Sequence, residues 1–183
     1  MTTFAIATLG CKVNTYESQG YESALLEKGY EQVSFKEKAD VYIINTCAVT
    51  NTAGSKSRQK IHAAIALNPE ALIAVVGCYA QTASEQLEQD ANIDILLGSD
   101  GKSRLADMIE EGLRKKRPQK LIHDVRKVNV FEALPIHRFE HQTRAFLKIQ
   151  DGCNQFCSYC IIRLHAERSA RCRRMRYLPS HEV

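Results

Sequence analysis

Through residue 115 the chain alternates short apolar runs, rich in β-branched residues, with stretches where apolar positions recur every three or four residues. "FAIATLG" (4–10) predicts a strand. Asn14 and Glu17 have the spacing of a capping box, which predicts a helix opening there and closing at Gly29, a residue type suited to the position just past a helix end. "VYIINTC" (41–47) is apolar without alternation, the pattern of a strand buried on both faces. A helix from about Gly54 to Leu67 comes next, ended by Asn68-Pro69. "ALIAVVGC" (71–78) predicts a third strand, and Thr82 with Glu85 a second capping box opening a short helix. "IDILLG" (93–98) predicts a fourth strand. Leu105, Met108, Ile109 and Leu113 then mark one face of a helix.

This alternation predicts the α/β class, a parallel sheet flanked by helices. Ligands of such sheets bind beyond the carboxyl ends of the strands. Cys11 follows the first strand, Cys47 ends the second and Cys78 ends the third. Parallel strands bring those three ends to one rim. A single cysteine there would read as a small buried hydrophobe. Three at equivalent ends point to a shared iron–sulfur or zinc site.

The pattern changes after the last helix. "RKKRP" (114–118) places its charges where a helix C-terminus favours them. Residues 126–142 carry no alternation and are expected to form a linker. His137 and His141 fall in it, after Pro135, and are expected on a surface loop. "TRAFLKIQDGC" (143–153) resumes alternation, which predicts a strand running into "DGCNQFCSYC" (151–160). The expected units are therefore 1–125, a linker at 126–142, the start of a second domain at 143–162, and a disordered basic tail at 163–183.

With 183 residues the chain has room for one well-buried domain and part of another. No 20–50-residue period marks a solenoid, and no apolar run approaches the length that spans a bilayer. The N-terminus lacks the basic and apolar regions of a signal peptide. A cytoplasmic location with no membrane partner is expected. Seven cysteines in a reducing compartment are ligands or catalytic thiols before they are disulfide partners. Charge is unevenly spread: residues 1–100 carry 7 Lys and Arg against 12 Asp and Glu, and residues 101–183 carry 18 against 9. A basic second half is compatible with a nucleic-acid partner or with a solvated surface.

Cys153, Cys157 and Cys160 stand in the spacing C-x₃-C-x₂-C, with Phe156 and Tyr159 between them. Structural zinc takes four closed ligands, and only Cys172 or His165 remains as a fourth, neither at a usual spacing. Three thiolates suit a [4Fe–4S] cluster with one iron left open. The spacing resembles the signature of radical S-adenosylmethionine enzymes. That resemblance implies an open iron that chelates S-adenosylmethionine, and release of a 5′-deoxyadenosyl radical.

Over residues 1 to about 162 the chain resembles the methylthiotransferases. "TLGCKVNTYES", "INTCAVTNTAGSKSRQ" and "VVGCYAQ" resemble the MtaB-type branch of that family. The resemblance implies an N-terminal methylthiotransferase domain at 1–125, followed by the first strand and cluster loop of a radical S-adenosylmethionine barrel. It implies an enzyme that methylthiolates carbon 2 of the adenine in N6-threonylcarbamoyladenosine, at position 37 of tRNA, with two S-adenosylmethionine and two [4Fe–4S] clusters. Cys11, Cys47 and Cys78 would hold the first cluster. Cys153, Cys157 and Cys160 would hold the second, which binds S-adenosylmethionine. An electron donor protein would be a further partner. Other branches of the family act on isopentenyladenosine in tRNA or on a ribosomal protein, with "YGCQMN" or "LGCPKN" where this chain has "LGCKVN". Asn14, Asn45 and Thr46 flank the first triad, and either hydrogen-bond a cluster or make local caps and turns.

The resemblance breaks after Ile162. Members of the family continue with a proline and an Arg-Gly pair into a barrel and an RNA-binding domain. This chain reads "RLHAERSARCRRMRYLPSHEV", with six arginines and no apolar period. Two accounts are open, a basic tail that grips tRNA and a shifted reading frame. The second is favoured, and with it a truncated chain that is inactive. Two further classes remain: a zinc-binding RNA adaptor, and a flavodoxin-like module with incidental cysteines. The second of these lacks any G-x-G-x-x-G phosphate loop.

Overall fold

The computed structural model describes residues 1–48, 51–115, 117–128, 130–134, 136, 146–155, 157–160, 162 and 169–171. His137, His141, Phe156, His165, Cys172 and most of the arginine-rich tail lie outside them. The expected α/β class is what the chain forms. Strands β1 (Thr3–Thr8), β2 (Glu31–Gln32), β3 (Val41–Thr46), β4 (Leu72–Gly77), β5 (Ile95–Leu97) and β6 (Gln119–Leu121) make one sheet in the order β2-β1-β3-β4-β5-β6. Every pairing in it is parallel, with Phe4 opposite Val41, Val41 opposite Leu72 and Ala74 opposite Ile95.

Helices fill the crossovers: α1 (Lys12–Glu27), α2 (Asn51–Leu67), the short α3 (Cys78–Thr82) and α4 (Ser84–Leu87), and α5 (Leu105–Lys115). All six residues of β3 and of β4 are buried, because helices cover both faces of the sheet. On one face Phe4, Val41, Ile43, Ala74 and Val76 pack against Tyr21 and Leu25 of α1 and Leu105 and Ile109 of α5. On the other, Tyr42, Ile44, Ile73 and Val75 meet Ile61 and Ala64 of α2 with Tyr79, Ala80 and Leu87. Among the described residues no helix is long and apolar enough to cross a membrane.

Two local expectations are corrected. Helix α1 opens at Lys12, with Cys11 in the cap position and no side-chain cap. Asn14 and Glu17 therefore lie inside its first turns, both buried, rather than forming a capping box. Thr82 closes α3, and α4 begins at Ser84 after Ala83, so the second capping box does not form either. The stretch expected as a linker is laced to the fold in its described part. Leu134 is buried in the α1/α5 core, and the Tyr16 hydroxyl donates to its carbonyl at 3.2 Å. The Glu132 carboxylate accepts from the backbone N–H of Lys102 (2.9 Å) and of Ser103 (2.7 Å), where a short 3₁₀ turn leads into α5. An anion there is favoured by the unpaired N–H groups of a helix start.

Of the strand expected at 143–153 only Gln150–Asp151 forms one, β7; residues 146–149 are described and lie outside any strand, and 143–145 lie outside the described residues. Strand β7 pairs antiparallel with β8 (Ala170–Arg171). Leu147 and Ile149 are exposed, while Lys148 and Asp151 between and after them are buried.

Candidate metal centre

The sheet order reverses direction between β1 and β3: the chain leaves β1 towards β2 on one side, and leaves β3 towards β4 on the other. The carboxyl end of such a pair is the usual crevice for a ligand in a parallel sheet. Cys11 follows β1 there, Cys47 follows β3, and Cys78 follows β4, the next strand along. The three thiols expected to share a site thus stand on one rim.

Two glycines let the backbone close in around them. Gly10 has φ 110°, and a Cβ added to it would lie 2.6 Å from Cys47 Cβ and 2.9 Å from its Sγ. Gly77 has φ 93°, and a Cβ there would meet the Thr46 carbonyl oxygen at 2.7 Å. Both positions combine a left-handed backbone with a close approach, which only glycine meets without strain.

Asn14 ties the rim together. Its Nδ2 donates to Asn45 Oδ1 (3.1 Å) and to the Thr46 carbonyl (2.9 Å), and its Oδ1 accepts from Cys11 Sγ at 3.2 Å. Asn45 Nδ2 donates back to the Asn14 carbonyl (3.0 Å) and to Ser18 Oγ (3.1 Å). The Thr46 hydroxyl donates to the Val76 carbonyl (2.6 Å) and accepts from Ala80 N–H. These contacts join residues far apart in sequence, so they make neither local caps nor turns; they fix α1 and α3 against the end of β3. Asn14 adds a contact to sulfur.

Cys47 is buried, Cys78 half-buried and Cys11 exposed. Burial, then the neighbouring charges of Glu17, Cys47 and Cys11, push the Cys78 thiol up to about 12. A thiol so placed stays protonated unless a cation joins it, because a thiolate is the ligand form. Among the described residues no three His, Cys, Asp or Glu side chains are grouped as a single metal ion would need. Thiolates around one zinc stand only about 3.8 Å apart, from the Zn–S length and a tetrahedral angle. A cluster of several irons spreads its thiolates wider. The donor set on the rim is all sulfur, follows three strand ends and is bounded by glycines, a ligand chemistry that iron–sulfur clusters take.

The second triad lies in the loop after β7. Gly152 turns the chain with φ 63°, Gln155 N–H points to Cys153 Sγ at 3.4 Å, and Cys160 N–H donates to the Cys157 carbonyl at 3.0 Å. Cys153 and Cys160 are half-buried, Cys157 is exposed, and Tyr159 is 90% exposed. The sequence missed a charged group beside this loop: Glu17, Lys102, Lys148 and Asp151, each at most 6% exposed. Their sequence positions lie up to 134 apart, from 17 to 151, so no local pattern signals the group.

Comparison with known proteins gives the same region a family. The model of "Uncharacterized protein family UPF0004" matches residues 3–98. The threonylcarbamoyladenosine tRNA methylthiotransferase MtaB of Bacillus subtilis is 44% identical over 162 residues, covering 88% of this chain and 36% of the relative. The protein of the same name from Aquifex aeolicus is 36% identical, covering 86% of this chain and 38% of its own. The tRNA-2-methylthio-N(6)-dimethylallyladenosine synthase of Moorella thermoacetica is 37% identical, covering 87% and 37%. The chain spans a little over a third of the length of these relatives.

Proposed function

The chain belongs to the MtaB-type methylthiotransferase family, and on that premise we propose that it carries the cluster-binding part of a tRNA-modifying enzyme. The substrate in this reading is N6-threonylcarbamoyladenosine at position 37 of tRNA, which gains a methylthio group at carbon 2 of its adenine. The reading draws on two S-adenosylmethionine, two [4Fe–4S] clusters and an electron donor protein. The observation that carries it is the convergence of Cys11, Cys47 and Cys78 on one rim of a parallel sheet, at the point where its strand order reverses.

Cys11, Cys47 and Cys78 would hold the first cluster, and Cys153, Cys157 and Cys160 the second. When bound, such clusters supply one-electron chemistry and sulfur at a carbon that has no acidic proton. The chain's own residues orient the first site. Asn14 holds the Cys11 thiol and the end of β3 at once, and Gly10 lets the chain pass against Cys47. On the second loop Cys157 and Tyr159 face solvent, so water has access to any group held there. We expect no methylthio transfer by this chain alone.

The test exchanges residues 1–160 for the matching part of the Bacillus subtilis relative, in cells lacking that relative, and analyses tRNA nucleosides by mass spectrometry. The methylthio group is expected to return on threonylcarbamoyladenosine and to be lost with Cys11→Ala in the exchanged part. A folded, iron-loaded hybrid that leaves this nucleoside unmodified, or modifies dimethylallyladenosine instead, would overturn the reading.

A further inference from the structure

The strap at 130–134 and the strand that leads into the second cysteine loop meet the sheet and helices through buried charges. Lys102 Nζ lies 3.0 Å from Glu17 Oε1 and 3.9 Å from Asp151 Oδ1. Lys148 Nζ lies 2.6 Å from Asp151 Oδ1 and donates to the Glu132 carbonyl at 3.3 Å. Asp151 Oδ2 accepts from the Glu132 N–H at 3.1 Å. The Lys148 ammonium also stands over the rings of Tyr16 (5.9 Å) and Phe131 (5.5 Å). Two cations and two carboxylates thus balance, and each ammonium touches more than one partner.

We propose that Glu17, Lys102, Asp151 and Lys148 form a buried clamp that fixes the second cysteine loop against α1, the helix whose first turn borders the first cysteine site. The chain path supports this directly. Asp151 stands two residues before Cys153, and Glu17 stands one turn after Asn14, the residue that holds Cys11. Glu132 adds a third strand of the clamp, since its carboxylate holds the start of α5 while its backbone holds Asp151 and Lys148. An ion group this buried is costly unless every member is paired, so it specifies one placement of the loop and penalises others. It needs neither a bound metal nor any residue beyond Asp151 to do so. The clamp goes beyond the proposed function and stands or falls separately from it.

Hydrogen exchange on the full metal-free chain, resolved by peptide, tests it. With Asp151→Asn, exchange in 130–134 and 146–153 is expected to rise about a hundredfold or more, because a lysine is left buried without its partner. Strands 41–46 and 72–77 are expected to keep parental protection. The double variant Asp151→Asn with Lys148→Met removes one charge of each sign and is expected to exchange more slowly than the single variant. Unchanged exchange at 146–153, equal acceleration throughout the sheet, or a double variant no slower than the single, would overturn the clamp. The unmutated chain gives a check that does not depend on a variant folding. Amine acylation is expected to spare Lys102 and Lys148 while modifying exposed Lys12, and equal labelling of all three would refute the burial.

Discussion

Removing the side-chain amide of Asn14 probes the rim where the three strands end. Asn14 is 3% exposed. Asn14→Ala leaves Asn45 Oδ1 without its Asn14 donor, deprives the Thr46 carbonyl of a bond, and takes the acceptor from Cys11 Sγ. A buried polar group left unpaired costs about 1–3 kcal/mol. Two such oxygens, partly relieved by relaxation, put the loss at about 2–4 kcal/mol. For a chain of this size that is a fall in melting temperature of roughly 4–16 °C. Asn14→Asp sharpens the test, since it sets a carboxylate against two acceptors in a buried site. It is expected to destabilise at least as much as alanine, although it is closer in shape. Urea unfolding of the metal-free chain measures both. A loss below about 0.5 kcal/mol for alanine, the level of an ordinary surface change, would refute the claim that Asn14 joins α1 to β3. So would an aspartate variant more stable than the alanine one.

Gly20 faces Leu134, and a Cβ there would fall 2.6 Å from Leu134 Cβ. Gly20→Ala is expected to loosen the 130–134 strap, costing about 1–3 kcal/mol as an overpacked contact, with faster proteolysis after residue 125 as the readout. Cys78 supplies a pH dependence. Its thiol is pushed up to about 12, so the folded metal-free chain holds that proton more tightly than the unfolded chain, where the thiol is near 9.0. Its contribution is full below pH 9 and is lost as pH rises from there towards 12, at up to about 1.4 kcal/mol per pH unit. Comparing unfolding of the parent with Cys78→Ala between pH 8 and 11 isolates it, and identical pH profiles would contradict the burial.

The sheet was legible where burial leaves a mark on local composition. "VYIINT" and "LIAVVG" are apolar at every position because helices cover both faces, and each forms its strand. Strands β2 and β6 carried no such mark. Glu31–Gln32 and Gln119–Leu121 are short and mostly polar, and they exist as strands only through pairing with β1 and β5. The Asn14-x-x-Glu17 spacing misled for a related reason. Both residues point inward from α1 to partners more than thirty positions away, Asn45 and Lys102, and spacing alone cannot tell an inward pair from a cap. Around Pro135 the chain has no period, so it read as a linker, yet Leu134 and Glu132 hold the fold by long-range contacts. That Cys11, Cys47 and Cys78 fall on one rim was legible because each follows a strand of a parallel sheet, and Cys153, Cys157 and Cys160 share one short stretch of sequence. The charges that seat the second loop were not legible.

The central claim is that Cys11, Cys47 and Cys78 act as one site. The most direct measurement is iron and sulfide content of the full chain after anaerobic reconstitution, with Cys153, Cys157 and Cys160 all replaced by alanine. That variant is expected to retain about four irons per chain on the rim. Adding Cys47→Ala, which leaves two thiols for the cluster, is expected to remove them. Retention of the same iron and sulfide without Cys47 would contradict the account.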